Sequence, residues 1–481
     1  MNPTDIALLV VEGLHNRVRY EFRLKPGLTI VYGRNATGKT TLLHVLANLL
    51  EADLTRFCYL GFHSITVRTA AGNQISLQKV WDREANTGGG VKVMVNDKRL
   101  GTVTRDLGTP RATAAIVEEM FGGLPVYLPA FRSVLESINR DGLDQRPQVQ
   151  EETRQQSAEA MIRAEMSRIR KQVMEGRGIP AHMTSRQVRK MAYKTLLCRD
   201  WFDEFVPMMR CPSLWEIAEQ IRDELSIARL SVAESDRAAL SGVFSNVLTA
   251  VMSTEERLAA VPTSARLLRI RGLLATLQES GAPVPSEYRP FLSTLKGLEG
   301  LGTAHSFEAA TVSRILQVYE AALEAQVTAQ EEAFRQLRTF EGSVNRLLAP
   351  KRLDLISDSM RDPRLGLPRI HLDEKTKKGF GILSSGERHI LTLLFSSTHM
   401  TASDGIVLID EPELSLHVDW QRSILTELTK QAGDRQIIVC THSPEVAADH
   451  QEALVGLHPE DWTPPTTHPD DEELTLDLES E

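Results

Sequence analysis

Three apolar-rich segments open the chain, Ile6–Val11, Arg17–Phe22 and Leu28–Tyr32, parted by Glu12-Gly13 and Pro26-Gly27. Their alternation and the turn residues between them predict three strands. A glycine-rich stretch follows and runs into Lys39–Leu50, whose apolar spacing is helical. Thr66–Thr69, Gln74–Gln78, Val91–Val95 and Leu100–Val103 then read as short strands. The last two are joined through Asn96-Asp97, a hairpin signal, so an antiparallel β patch is predicted here.

From about Arg132 to Pro350 the pattern changes to long helical segments, among them Ser157–Met174, Leu214–Leu230 and Ser306–Leu348. The last is about 60 Å long as a single helix. Its apolar residues Leu316, Tyr319, Leu323, Val327, Phe334, Leu337, Val344 and Leu347 keep close to a helical repeat, which suits the seam of a bundle or a two-helix coil; a packed bundle is the reading adopted. After Pro350 the sequence returns to α/β patterns. The expected fold class is therefore α/β, one domain with a mixed sheet and an antiparallel β patch, interrupted by a long all-helical insertion. The boundaries drawn are 1–130 and 351–458 for the two halves of that domain, 131–350 for the insertion and 459–481 for an acidic disordered tail.

Composition narrows the class. With 42% apolar and 25% charged residues among 481, the chain is neither collagen-like nor disordered as a whole. No stretch approaches 18 consecutive apolar residues, and the first residues lack a basic or apolar leader. A cytoplasmic protein without membrane spans is expected. Cys58, Cys198, Cys211 and Cys440 are far apart and form no C-x-x-C pair, which points to buried free thiols. The net charge of −9 comes from the segment after residue 458, which holds nine carboxylates and no Lys or Arg; the remainder is balanced. Global acidity is thus no argument against nucleic acid. Between Arg163 and Arg199 ten basic residues, including Arg186, Arg189, Lys190, Lys194 and Arg199, stand against two acidic ones. This segment, 163–199, is the candidate DNA contact, with a solvated helix face as the plain alternative.

The chemistry is concentrated in four short strings. Gly33-Arg-Asn-Ala-Thr-Gly-Lys-Thr40 fits G-x-x-x-x-G-K-[ST] between a predicted strand and a predicted helix. In such a loop Gly33, Asn35, Gly38 and Thr41 line the phosphates, Lys39 neutralises them, and the Thr40 hydroxyl ligates Mg2+. Gly405–Glu411 is an apolar strand ending in two acids: Asp410 is placed for the Mg2+ shell and Glu411 for polarising a water. Gln436–Cys440 is a further buried strand, followed by Thr441-His442-Ser443-Pro444 where open α/β sheets hold their ligands. Leu383-Ser-Ser-Gly-Glu387 precedes an apolar helix, with Ser384 at the cap of a Ser-x-x-Glu box, so Ser384 and Gly386 form a second anion site.

In this order the four strings resemble the ABC-type ATPases, with their phosphate loop, LSGGQ-like signature, Walker B strand with catalytic Glu, and switch His. The resemblance implies ATP sandwiched between two heads, Lys39, Thr40, Asp410, Glu411 and His442 of one facing Ser384 and Gly386 of the other, in a homodimer or higher homo-oligomer. The string Asp410–Gln421, with Thr441–Pro444, looks most like the overcoming-lysogenization-defect (OLD) family and SMC-like relatives in anti-phage systems, where Ser415 and His417 lie on the D-loop at the head interface. Ser385 and Glu387 depart from the transporter-style signature. No Q-loop glutamine is evident, and Arg132 is the stand-in expected to couple the insertion to the γ-phosphate. OLD proteins continue into a nuclease domain, whereas 39 residues follow His442 here. The expectation is accordingly a sensor ATPase of an anti-phage system, of the PARIS or Septu kind, with a separate nuclease or toxin as effector. The alternative is a RecF- or SMC-like repair or chromosome-structural ATPase acting on duplex DNA.

Overall fold

The computed structural model describes residues 2–82, 87–105, 108–132, 185–252, 263–279, 306–356, 367–373, 375–400 and 405–463. The chain divides into two compact units, one of residues 1–211 with 402–481, the other of residues 212–401.

The first unit carries two sheets. Strands β1 (Ile6–Leu14), β2 (Val18–Arg23), β4 (Ser64–Thr69), β5 (Gln74–Asp82), β6 (Thr87–Val95) and β7 (Lys98–Val103) form an antiparallel sheet closed at one edge by β15 (Glu460–Asp461). Its register sets the predicted alternation in a row: Tyr20, Val11, Ile65, Leu77 and Val93 are cross-strand partners and all are buried. The Asn96-Asp97 turn is present, both residues at positive φ as a type I′ hairpin requires. The first turn falls later than its signal. β1 runs through Gly13 to Leu14, and His15-Asn16 make the turn, again at positive φ. Gly13 instead occupies an irregularity in the pairing, at φ +65°, where a Cβ would crowd the Trp462 ring at 3.1 Å.

The second sheet is parallel, in the order β14 (Leu454–Gly456), β3 (Leu28–Tyr32), β13 (Ile437–Thr441), β12 (Val407–Asp410), β8 (Val126–Leu128). Every residue of β8, β12 and β13 is buried, as expected for strands covered on both faces. Val31, Cys440 and Asp410 lie level across β3, β13 and β12. The residues that follow each strand therefore emerge at one edge.

Helix α1 (Lys39–Leu50) leaves that edge and is buried on nearly all sides. Each of its leucines contributes about 2 kcal/mol by leaving water. Its two internal polar residues have partners: His44 Nε2 meets Tyr127 Oη at 2.8 Å, and Asn48 Nδ2 donates to the Phe205 carbonyl at 2.7 Å. Burial pushes the His44 imidazole down to about 3, so it is neutral. The sheets are joined through Gln436, whose amide accepts from Ile6 N and donates to Ile6 O, both at 2.9 Å. Helices α2 (Arg111–Phe121) and α3 (Ser185–Trp201) complete this part of the unit.

The second unit holds the long helices α4 (Leu214–Met252), α5 (Thr263–Glu279) and α6 (Ser306–Leu348), strands β9 (Arg352–Leu353), β10 (Ile370–His371) and β11 (Lys377–Lys378), and helix α7 (Ser385–Ser396). α6 has 43 residues, about 64 Å of helix. Leu316 and Leu323 of α6 pack with Ile270, Leu274 and Leu277 of α5, beside a buried Arg266–Glu320 pair at 2.8 Å. Gln326 of α6 reaches Asp236 of α4 at 2.5 Å. Phe340, nearer its C-terminus, meets Phe395 of α7 edge to face at 5.7 Å. No helix among the described residues is long and apolar enough to cross a membrane. The four cysteines are buried, and none is in a disulfide.

Two expectations need adjusting. The segment from 459, read as a disordered tail, begins inside a sheet: β15 pairs antiparallel with β2, Trp462 N donates to Arg17 O at 2.8 Å, and the Trp462 ring lies against His63. Residues 464–481 lie outside the described residues. The basic segment 163–199 is not one solvated face. Lys194 and Arg199 are buried, Lys194 Nζ donating to Cys211 O and Arg199 Nε to Val206 O, each at 3.0 Å. Its residues up to 184, with the Ser157–Met174 segment, lie outside the described residues.

Candidate functional site

The loop after β3 is built by its glycines. Gly38 sits at φ +83°, and a Cβ there would lie 3.1 Å from Tyr20 Oη; a Cβ on Gly33 would lie 3.0 Å from Thr37 Oγ1. Tyr20 Oη donates to Thr37 O at 2.8 Å, and Thr37 Oγ1 donates to Arg34 O at 2.7 Å, which hold the loop arched. The Lys39 ammonium lies inside the arch, donating to the Gly33 and Arg34 carbonyls at 2.8 and 3.0 Å, 3.8 Å from Glu411 Oε1. Asn35, Gly38, Lys39, Thr40, Thr41 and Glu411 line a cleft of about 580 Å3, bounded on its far side by the β1–β2 turn. Its size suits a nucleotide-sized ligand.

At the end of β12, Asp410 is buried, and its Oδ2 accepts from Thr40 Oγ1 at 2.8 Å. Burial pushes its carboxyl up, against the opposing pull of Thr40, Arg132 and Lys39. Oδ1 is buried without a partner. An unsatisfied buried carboxylate oxygen beside a hydroxyl is a donor set that fits a hard divalent cation such as Mg2+.

Glu411 follows at φ +48°, a left-handed conformation that a non-glycine residue keeps only when its surroundings fix it. They do so on three sides. Glu411 N donates to Cys440 O at 2.9 Å; the Arg132 guanidinium donates to Asp410 O at 2.8 Å and to Glu411 O at 2.9 Å. Arg132 also donates to Pro129 O at 2.8 Å, and burial pushes it down to about 10, so it remains charged. This corrects the expectation that Arg132 couples the insertion to the γ-phosphate: it is 3% exposed and holds the acidic strand end from beneath.

The Glu411 carboxylate is hydrogen-bonded to His442 Nδ1. Burial first, and then neighbouring Glu413, pushes Glu411 up to about 7, with His442 opposing. Glu411, Glu413 and His442 present ligand-capable atoms within 4.8 Å of one another, and turn donors already take up Glu413 Oε1. The structure thus brings together Lys39, Thr40, Asp410, Glu411 and His442, with Gly33, Asn35, Gly38 and Thr41 in the adjoining loop.

Ser384 and Gly386 belong to the other unit, at the start of α7. The capping box is formed: Glu387 N donates to Ser384 Oγ at 3.3 Å, and Ser384 N donates to Glu387 Oε2 at 2.7 Å. Lys351 Nζ meets the same Glu387 oxygen at 2.7 Å. Ser415 lies at φ +64°, and His417 caps α8 (Val418–Ala432), between the exposed apolar residues Leu414 and Val418. Sequence reasoning missed three supporting residues: Arg132 in its actual role, Gln436 and Glu413. Of Gln436 and Glu413, Glu413 carried a signal, as a third acid in Asp410-Glu-Pro-Glu413.

Residues 282–449 are similar to an AAA-type domain. The family they match is described as "AAA domain, putative AbiEii toxin, Type IV TA system". The matched stretch takes in α6, α7, β12, α8 and β13, and the phosphate loop at 33–40 lies outside it. A curated relative, the "Retron Ec83 probable ATPase" of Escherichia coli, is 36% identical over 94 residues, 20% of this chain and 17% of the relative's length. Among solved structures, the Smc head domain of Pyrococcus furiosus with an extended coiled coil, bound to the C-terminal domain of ScpA, aligns with a TM-score of 0.37 at 12% identity, covering 95% of this chain and 96% of the other. The Smc head of Pyrococcus yayanosii, with a coiled coil and joint, gives 0.37 at 14%, covering 95% and 97%. At such scores the architecture rests on the strand order and the loop geometry themselves.

Proposed function

We propose that the protein is an ATP-hydrolysing switch whose heads pair around ATP, serving as the sensor ATPase of an anti-phage defence system with a separate nuclease or toxin as effector. The observation that carries the ATPase part is the corner where Thr40, Asp410, Glu411 and His442 meet beside the arched loop. The AAA-type match and the relative named as a probable ATPase support the same reading. Lys39 and the backbone N–H groups of Gly33–Thr41 bind the phosphates, the ammonium exchanging loop carbonyls for phosphate oxygens. Thr40 and Asp410 hold Mg2+, which neutralises phosphate charge when bound. Glu411, with its carboxyl raised toward neutrality, takes a proton from water as the water oxygen bonds to the γ-phosphorus; the bond to the β–γ bridging oxygen breaks and ADP leaves with it. His442 orients Glu411 and stands ready to meet the γ-phosphate.

Ser384 and Gly386, at a capped helix start, supply the second phosphate contact from the partner copy. Exposed Leu414 and Val418 flanking Ser415 and His417 support pairing along this segment. The defence role comes from the resemblance of Asp410–Gln421, with Thr441–Pro444, to OLD-like heads. Two of the ten basic residues behind the DNA reading are buried, Lys194 and Arg199, so that alternative has less behind it. The purified full chain should release phosphate from ATP with Mg2+. Glu411→Gln should bind ATP without turnover and double its native mass. No phosphate release and no mass change on adding ATP would overturn the ATPase switch. Cells carrying Lys39→Ala should plate phage as cells lacking the protein do, and retained protection removes the defence role.

A further inference from the structure

Glu413 touches neither phosphate nor metal in the chemistry above, yet it is the most heavily engaged carboxylate of the corner. A single oxygen, Oε1, accepts from Thr441 Oγ1 at 2.5 Å, His442 N at 3.2 Å and Ser443 N at 3.1 Å, and lies 3.3 Å from His442 Nδ1. The side chain is 6% exposed, and its second oxygen is buried without a partner. A buried carboxylate left half satisfied is a costly way to hold a turn, since an apolar side chain of similar size avoids the desolvation altogether. Its placement follows from the backbone on either side. Glu411 at φ +48° and Ser415 at φ +64° turn the chain back on itself, which brings residue 413 under the turn that ends β13. The same turn is tied from a second side, Ser443 Oγ donating to Gln421 Oε1 at 2.9 Å.

We propose that Glu413 is a positioning residue for hydrolysis: by gathering the hydroxyl and two N–H groups of Thr441–Ser443 onto one oxygen, it fixes the His442 imidazole against Glu411. Two glutamates flanking Pro412 thus divide the work, Glu411 facing the reaction and Glu413 holding the residue that faces Glu411. The inference rests on the ATPase reading.

Steady-state ATP hydrolysis by the full chain tests it. Glu413→Ala should lower kcat about 100-fold, the scale of a catalytic group displaced by an ångström, and leave KM for ATP within about threefold, because the phosphate loop is untouched. Glu413→Gln keeps an oxygen at Oε1 and should recover kcat to within about tenfold of wild type. In a His442→Ala background, Glu413→Ala should cost less than about threefold more, because residues acting as a unit are not additive. Should Glu413→Ala fail to fold, Thr441→Val removes one donor at constant shape and should lower kcat about fivefold. Wild-type kcat in Glu413→Ala or in Thr441→Val, or full additivity with His442→Ala, overturns the proposal. A wild-type chain that does not hydrolyse ATP removes the ATPase reading itself; wild-type turnover with an unimpaired Glu413→Ala removes this inference alone.

Discussion

Glu387 and Glu411 are nearly equally enclosed, their side chains 11% and 15% exposed, yet they are driven in opposite directions. Burial pushes both up. At Glu387 it is outweighed by Lys351 and by Ser384 N–H, so the carboxyl ends below its usual range. At Glu411 a second carboxylate, Glu413, adds to burial and His442 does not cancel them, so the group is held near 7. Enclosure alone therefore does not separate a structural acid from a reactive one; the sign and number of its partners do. The acid in the capping box has its partners supplied within its own unit. The corner at the end of β12 keeps spare capacity, with Asp410 Oδ1 and Glu413 Oε2 buried and unmatched.

The largest effect that sharpens this contrast is expected from Glu411→Gln, which should lower ATP turnover about 1000-fold, as loss of a positioned general base does, with ATP binding retained. Phosphate release against equilibrium binding measures both; turnover near wild type would place Glu411 with the structural acids. Arg132→Ala comes next. It removes the guanidinium hydrogen bonds to the carbonyls of Pro129, Asp410 and Glu411 and should destabilise the chain by about 3 kcal/mol in denaturant melts, with turnover falling as φ at Glu411 relaxes. An unchanged midpoint would mean that water or backbone movement replaces the guanidinium.

The pH dependence is the third. Glu411 works unprotonated and is raised to about 7 in the free protein, so kcat/KM for ATP should climb about tenfold per unit below that value and level off above it. A flat profile across that range breaks the assignment. The smallest effect is expected from Glu387→Ala, which removes half of the capping box and the Lys351 partner. It should cost about 1 kcal/mol of stability and leave the pH profile in place. A shifted profile would mean that the two acids are not as separate in role as their partners indicate.

Much of the candidate chemistry in both units was legible in the sequence because its parts are short and locally encoded. The Gly33–Thr40 spacing, the apolar strand ending in Asp410-Glu411 and the Ser384-x-x-Glu387 box each specify a backbone shape and a side chain within a few residues. The strands of the antiparallel sheet were legible from alternation, and the Asn96-Asp97 turn from its residue types. The Glu12-Gly13 signal misled for a physical reason: Gly13 is held at φ +65°, and a Cβ there would crowd His63 and Trp462, neighbours distant in the chain. Arg132 was legible as a residue of interest but not in its role, because its partners are backbone carbonyls, which no side-chain pattern announces. Lys194 and Arg199 counted as surface charge because their burial, against Cys211 O and Val206 O, is likewise set by tertiary neighbours.

By itself the sequence determined the element types, the phosphate loop, the acidic strand end and the capped helix, since each follows from local propensity, period or spacing. Only the tertiary structure decided which oxygen of which acid is satisfied. It set Val31, Cys440 and Asp410 level across three strands distant in the chain, aimed Arg132 at the carbonyls beneath Glu411, and folded Glu413 under the turn that carries His442. A carboxylate's reactivity depends on charges and donors within a few ångströms, and those neighbours come from β8, β12 and β13, whose adjacency is a property of the sheet and not of any segment within it.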